Sequence, residues 1–230
     1  MSPAKSITAL LCLILAFPQV MLHADDSGDL KLLLADLKSN ESVKKRKAIK
    51  QIAEMGSSAQ SAVPTLIVIL ERERDVLVRR GAAEALGTIA GDPKLTIAAL
   101  AKSLKDSDVE VIAAASMSLS KYGSKAVPTL QKALSDSDNQ VRRYAAEAIA
   151  KIGPDAKDAV PALIKAYQSE GPVNMRRGNN AVKASYVEAL GAIGPDAKEV
   201  VPIFEAFLNE RNPDRDLRRL VTEALRKIKK

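Results

Sequence analysis

One phrase returns along this chain at intervals of about 30 to 41 residues, and that return limits the fold more than any other feature. Its clearest copy runs Val141-Arg-Arg-Tyr-Ala-Ala-Glu-Ala-Ile-Ala-Lys-Ile-Gly153. Val78 to Ala90 and Val182 to Gly194 match it closely. Weaker copies run from Lys44 to Gly56, Val111 to Gly123 and Leu217 to Lys229. A unit of this length is a single supersecondary element. It is too small to bury an apolar face alone, so it must stack on its neighbours.

Each copy reads as an amphipathic helix. Val141, Ala145, Ala146, Ala148, Ile149 and Ile152 fall on one face at the helical period. Three residues before the Val position stands Asp75, Asp108, Asp138, Asn179 or Asp214, with Asn40 or Glu41 in the first copy. Such side chains cap a helix by accepting an orphan N–H. Gly56, Gly123, Gly153 and Gly194 end their copies at the left-handed position that favours glycine. A second helix precedes each copy. It opens at Val63-Pro64, Val127-Pro128, Val160-Pro161 and Val201-Pro202, with proline in the first turn, where its missing N–H costs nothing. Leu30 to Lys38 and Lys94 to Lys105 fill the same slot without that proline.

The predicted unit is therefore helix A, a short loop, helix B and a tight glycine turn. Six of them, at approximately 29–56, 57–91, 92–123, 124–153, 154–194 and 195–230, give an all-α solenoid over 25–230. No stretch alternates at period two, so no sheet is expected. Composition agrees. Hydrophobic residues make up 47% of the chain, yet aromatics are only 3% and Trp is absent. Alanine-rich helices of this kind form readily and pack closely.

Residues 1–24 stand apart. Lys5 precedes an apolar run from Ile7 to Phe17, Pro18 breaks it, and Leu22-His23-Ala24 offers a small residue for cleavage before Asp25. This is the pattern of a secretory signal peptide, with an uncleaved anchor as the rival. The run falls short of the roughly 20 residues a membrane span needs. Leu11 before Cys12 argues against lipidation. Export to the periplasm or the medium is the expectation. Cleavage would remove Cys12 and His23, the chain's one cysteine and one histidine. The remainder could form no disulfide and would hold no thiolate or imidazole for nucleophilic or metal chemistry. Removing Lys5 leaves 34 basic against 28 acidic residues, a net +6.

The stretch Gly153-Pro-Asp-Ala-Lys-Asp-Ala-Val-Pro-Ala-Leu163, followed by a capped Val-Arg-Arg…Glu-Ala…Gly helix, resembles bacterial HEAT repeats. More narrowly it is similar to the phycobilisome-lyase-like HEAT class, over roughly residues 29–230. The resemblance implies B helices on an inner, concave surface and A helices outside. It also implies that the basic residue at Lys45, Arg79, Arg142, Lys183 and Arg218 pairs with an acid in the preceding loop. Asp106 and Asp136 match that acid position; Ser39, Arg177 and Asn212 do not. Relatives of this class include chromophore lyases, a hydroxylase, DNA glycosylases and plain scaffolds. The paired His-Glu iron motif of the hydroxylase is missing.

On the outward stripe of the B helices the register places Arg46, Arg80 and Glu84, Ala113 and Met117, Arg143 and Glu147, Glu188, and Arg219 and Glu223. These are the candidate partner-binding residues. Ala113 and Met117 break the charged ladder with a less polar patch, and methionine adapts well at binding surfaces. Arg176 and Arg177 join them from the long Ser169–Asn180 loop, since insertions in repeat arrays gather on the binding side. Asp136, Asp138 and Glu147 resemble the ends of a calcium loop, but Val141 stands where such a loop turns on glycine. The sequence supports no cofactor, metal or catalytic set. It points to a non-enzymatic scaffold, monomeric on its own, that binds a protein. The alternative is a binder of nucleic acid or another polyanion, and a lyase- or hydroxylase-like enzyme is the distant third. The stripe mixes Glu with Arg and offers no row of aromatics for stacking bases.

Overall fold

The computed structural model describes residues 26–171, 179–211 and 213–230. The expected signal peptide at 1–24, Arg176, Arg177 and Asn212 lie outside the described residues. Twelve α-helices follow one another in six A–B pairs, and no strand occurs among the described residues. The pairs are α1 (Asp26–Asp36) with α2 (Ser42–Glu54), α3 (Val63–Arg72) with α4 (Val76–Ile89), and α5 (Pro93–Ser103) with α6 (Val109–Ser120). Then come α7 (Val127–Ala133) with α8 (Asn139–Ile152), α9 (Val160–Ser169) with α10 (Asn179–Ile193), and α11 (Val201–Leu208) with α12 (Arg215–Ile228).

Helix starts obey the capping chemistry. Asp75 accepts from the Leu77 and Val78 amides, Asp108 from Glu110, Asp138 from Gln140 and Asp214 from Leu217. The first B helix differs: Glu41 occupies its N-cap and makes no side-chain cap bond. α5 corrects an expectation. It begins at Pro93 under an Asp92 cap, so it carries its proline after all, one residue upstream of the predicted start.

Helix stops follow backbone strain. Gly56, Gly123, Gly153 and Gly194 all take positive φ. Ala90 takes φ 51° at the same place in the second repeat, where a Cβ is penalised. The tight glycine turn is only half of the connection. At four of the five B-to-A junctions a 3-10 segment follows it, at Gly56–Ala62, Gly123–Ala126, Gly153–Ala159 and Gly194–Val200. Ala59, Ala156 and Ala197 in those segments are buried, so the connections contribute to the core.

One continuous apolar core runs from Leu30 to Ile228. The B helices form its tight layer, each packing on the next from α2 through α12. Small residues make this possible. Ala82, Ala83, Ala115, Ala145 and Ala146 are fully or almost fully buried. Gly87 has the Ser118 Cβ and backbone so near that a methyl group there would lie 2.5 Å from the serine Cβ. Ser118 then donates to the Ala83 carbonyl at 2.8 Å and Ser116 to the Tyr144 carbonyl at 2.6 Å, which satisfies the hydroxyls buried between helices. Consecutive A helices meet over less of their length, as α3 on α5 and α5 on α7.

Candidate functional site

The expected charged ladder exists, with its direction reversed. Lys45 binds the Glu73 carboxylate. Arg79 holds Asp106 through two parallel bonds of 2.8 and 2.7 Å, and Arg142 donates to Glu170 at 2.8 Å. Each acid belongs to the A–B loop of the following repeat, not the preceding one. The guanidinium groups also grip their own loops. Arg79 donates to the Glu73 and Arg74 carbonyls, and Arg142 to those of Asp136 and Ser137. One cation thus ties two successive loops together. The Arg79 and Asp106 side chains are only 11% and 12% exposed, where a bidentate pair keeps geometric value that a surface pair loses to solvent.

Electrostatics follow this geometry. The bond from Lys45 holds the Glu73 carboxyl below the usual range. Burial pushes Asp106 up, and the bonds from Arg79 and the Asp108 amide override it, so it too lies below its ordinary value. The third repeat has Ile112 at the basic position, and Asp136 is taken over by Lys105 at 2.7 Å, which keeps its carboxyl low. Glu73 and Glu170 were not foreseen as rungs. Glu73 stands two residues before a cap, a signal available in the sequence. Glu170 stands at the end of α9, displaced by the loop insertion.

The outward stripe divides into three stretches. Near the N-terminus, Arg46, Arg80 and Glu84 line one groove between α2 and α4, floored by Ile49, Ala53, Gly81 and Ala85. Arg80 is shared between Glu84 at 3.6 Å and Glu110 at 2.5 Å. Arg46 and Lys47 are exposed and have no ion-pair partner within 4 Å among the described residues. In the middle, Ala113 is half-buried and Met117 is 47% exposed on α6. Beside them Arg143 lies 4.4 Å above the Tyr144 ring and 3.7 Å from Glu147. Burial raises the Glu147 carboxyl, Arg143 counters this, and the charge of Glu188 on α10 raises it further. At the far end Arg219 and Glu223 pair at 3.4 Å, both largely exposed. The expected basic-then-acidic spacing thus yields contacts at Arg80–Glu84, Arg143–Glu147 and Arg219–Glu223.

Two placements revise the expectation. Arg143 is half-buried, with its Nε closed off from solvent, so it is a packed residue as well as a surface one. Tyr186 is wholly buried and donates towards Glu170 at 3.3 Å, which makes it part of the frame. Among the described residues no helix is long and apolar enough to cross a membrane.

Comparison with known proteins fits this architecture. No curated protein matches the sequence significantly. Among solved structures, the phycocyanin lyase CpcE–CpcF complex from Nostoc sp. PCC7120 aligns with 86% of this chain and 76% of its own. The identity is 26% and the TM-score 0.53. An engineered protein aligns over 87% of this chain and 96% of its own at 24% identity and TM-score 0.51. A structure described for microtubule plus-end tracking by XMAP215, CLIP-170 and EB1 aligns over 87% and 92% at 15% identity and TM-score 0.61, a likeness of fold alone. The sequence profile for HEAT repeats matches residues 30–120 and 97–178. With six helix pairs stacked on one core, the chain is a HEAT-repeat protein of the phycobilisome-lyase-like type.

Proposed function

We propose that this protein is an exported, non-enzymatic scaffold that captures a protein partner along its B-helix face. The observation that carries the reading is the contrast along that face. Its two ends carry solvated charges, salt-bridged at Arg80–Glu84 and Arg219–Glu223, which make poor anchors because water already satisfies them. Its centre exposes Met117 beside Ala113, next to Glu147, a carboxyl whose ionised form is disfavoured by burial and by Glu188. A partner placing an apolar side chain on Met117 and a cation near Glu147 and Glu188 would bury an exposed hydrophobe and relieve that repulsion. The apolar N-terminal segment supplies the reason to expect export.

The experiment is crosslinking of the intact protein in its native cells, with Met117→Ser as the variant. Loss of the captured protein with an unchanged helical spectrum supports the reading, and undiminished capture removes the central face from it. N-terminal sequencing of the protein from the extracytoplasmic fraction tests export. A protein found only in the cytoplasm with Met1 or Ser2 at its start contradicts it.

A second reading has one specific observation in its favour. α2 carries Lys44, Lys45, Arg46, Lys47 and Lys50 against Glu54, and Arg46 and Lys47 are unpaired among the described residues. Polyanion binding there would weaken steeply with salt. Single-stranded DNA that binds at 50 mM salt and releases at 200 mM would favour it over the protein scaffold.

A further inference from the structure

Lys183 holds the same B-helix position as Lys45, Arg79 and Arg142. It is 7% exposed, yet no carboxylate of a described residue lies within ion-pair distance of its ammonium. In sequence, the acid position ahead of the next cap is Asn212, an uncharged amide. The ammonium donates instead to the Gly171 carbonyl and lies 4.6 Å from the centre of the Tyr167 ring. A buried cation with no carboxylate at hydrogen-bond distance is costly, and here it borders an open cavity, with Glu210 and Glu170 acting on it only from further away.

That cavity lies between α9, α10 and α11. It measures about 630 Å³ and is lined by Tyr167, Lys183, Pro202, Ile203, Ala206 and Phe207, with Glu210 beside them. Its walls are aromatic and aliphatic, and Tyr167 is fixed edge-on against Phe204, centroids 5.5 Å apart. This size, with mainly apolar walls and the two charged groups of Lys183 and Glu210, is that of a small-ligand site. The other ladder cations show what the ammonium requires. Lys45, Arg79 and Arg142 are each completed by a carboxylate at hydrogen-bond distance.

We infer that this cavity binds a carboxylate carried on an apolar body, which supplies the directly bonded acid that Lys183 lacks among the described residues. The carboxylate accepts from the Lys183 ammonium, and the apolar body fills the space against Tyr167, Ile203 and Phe207. Glu210 disfavours a second negative charge. Desolvation lowers the pKa of Lys183, with Glu210 and Glu170 opposing it. The chemistry has two sources, a free small acid or the C-terminal carboxylate of a peptide ending in an apolar residue. The site is separate from the B-helix face and does not depend on the scaffold reading.

The test is titration of the whole chain by calorimetry and ligand-observed NMR with 3-phenylpropionate, its amide, and the peptide Gly-Gly-Ala-Phe with a free or amidated end. The acid is expected to bind at least about tenfold tighter than its amide, since the amide loses a charge-assisted bond. Phenylsuccinate, with its second carboxylate, binds less well than the monoacid. Lys183→Met removes the preference for acid over amide. Should that variant fail to fold, Ala206→Trp fills the cavity with Lys183 in place and abolishes binding. Tighter binding of the free-ended peptide than of phenylpropionate assigns the site to chain ends. The reverse assigns it to small acids. Equal binding of acid and amide, no binding by either, or full binding by Lys183→Met overturns the inference.

Discussion

Arg79 in the second repeat and Lys183 in the fifth stand at one register position of the B helix, four residues after the capping position. Both are largely shielded from water. Arg79 has two carbonyls of its own loop and a bidentate carboxylate from the next. Lys183 has one carbonyl and an aromatic face. The second rung is closed and serves only the frame. The fifth sits beside a cavity, with no carboxylate of a described residue at ion-pair distance. The same register position therefore carries a closed ion pair in one repeat and a cation bordering a cavity in another.

The largest effect expected separates the two rungs directly. Arg79→Ala strands the Asp106 carboxylate and frees two carbonyls, and costs about 3 kcal/mol in urea denaturation. Lys183→Met removes an uncompensated charge and changes stability by about 1 kcal/mol or less. Equal losses would erase the distinction between the rungs.

Titration sharpens it with opposite signs. Glu73, Asp106 and Asp136 have folded pKa values below their ordinary 4.5, 3.8 and 3.8. Their contribution is complete above those values and disappears as pH falls through the lower folded ones. Lys183 has a folded pKa below its ordinary 10.5, so its rung gains stability as pH rises from that folded value towards 10.5. Tyr167, pushed up to about 12 by burial, stays neutral below pH 10. Denaturation curves should show an acid loss that Arg79→Ala diminishes. They should also show an alkaline gain that Lys183→Met removes.

Smaller effects test the frame around the rungs. Ala90→Gly relieves the left-handed alanine and should add about 0.5–1 kcal/mol to thermal stability. Gly56→Ala should cost about as much, because its φ of 56° is equally left-handed. The smallest stability change belongs to Met117→Ser, within about 0.5 kcal/mol, since the side chain is half exposed.

Local chemistry made the frame legible in the sequence. Caps at Asp75, Asp108, Asp138 and Asp214 and turns at Gly56, Gly123, Gly153 and Gly194 depend on a few adjacent residues, and each lies where its chemistry puts it. The direction of the ladder was not legible, because the partner of Arg79 is chosen by the stacking of repeats. Nor was the Glu170 rung, since the inserted loop shifts its acid out of register. Arg143 looked like a surface charge because its stripe position is outward, and only the Tyr144 ring beside it shows that it is packed. The Lys183 cavity could not be read at all. It arises where Phe207 on α11 and Tyr167 on α9 come together, and no local pattern records that meeting.

The forward reach of the rungs has a consequence for biogenesis. Lys45, Arg79 and Arg142 each find their acid 27 or 28 residues downstream. A helix pair emerging from the ribosome, or from a translocation channel, therefore stays unlatched until the next loop has followed it out. The first, second and fourth pairs thus gain this latch only when their successors arrive, while the third, with Ile112 in that place, has none of this kind to wait for.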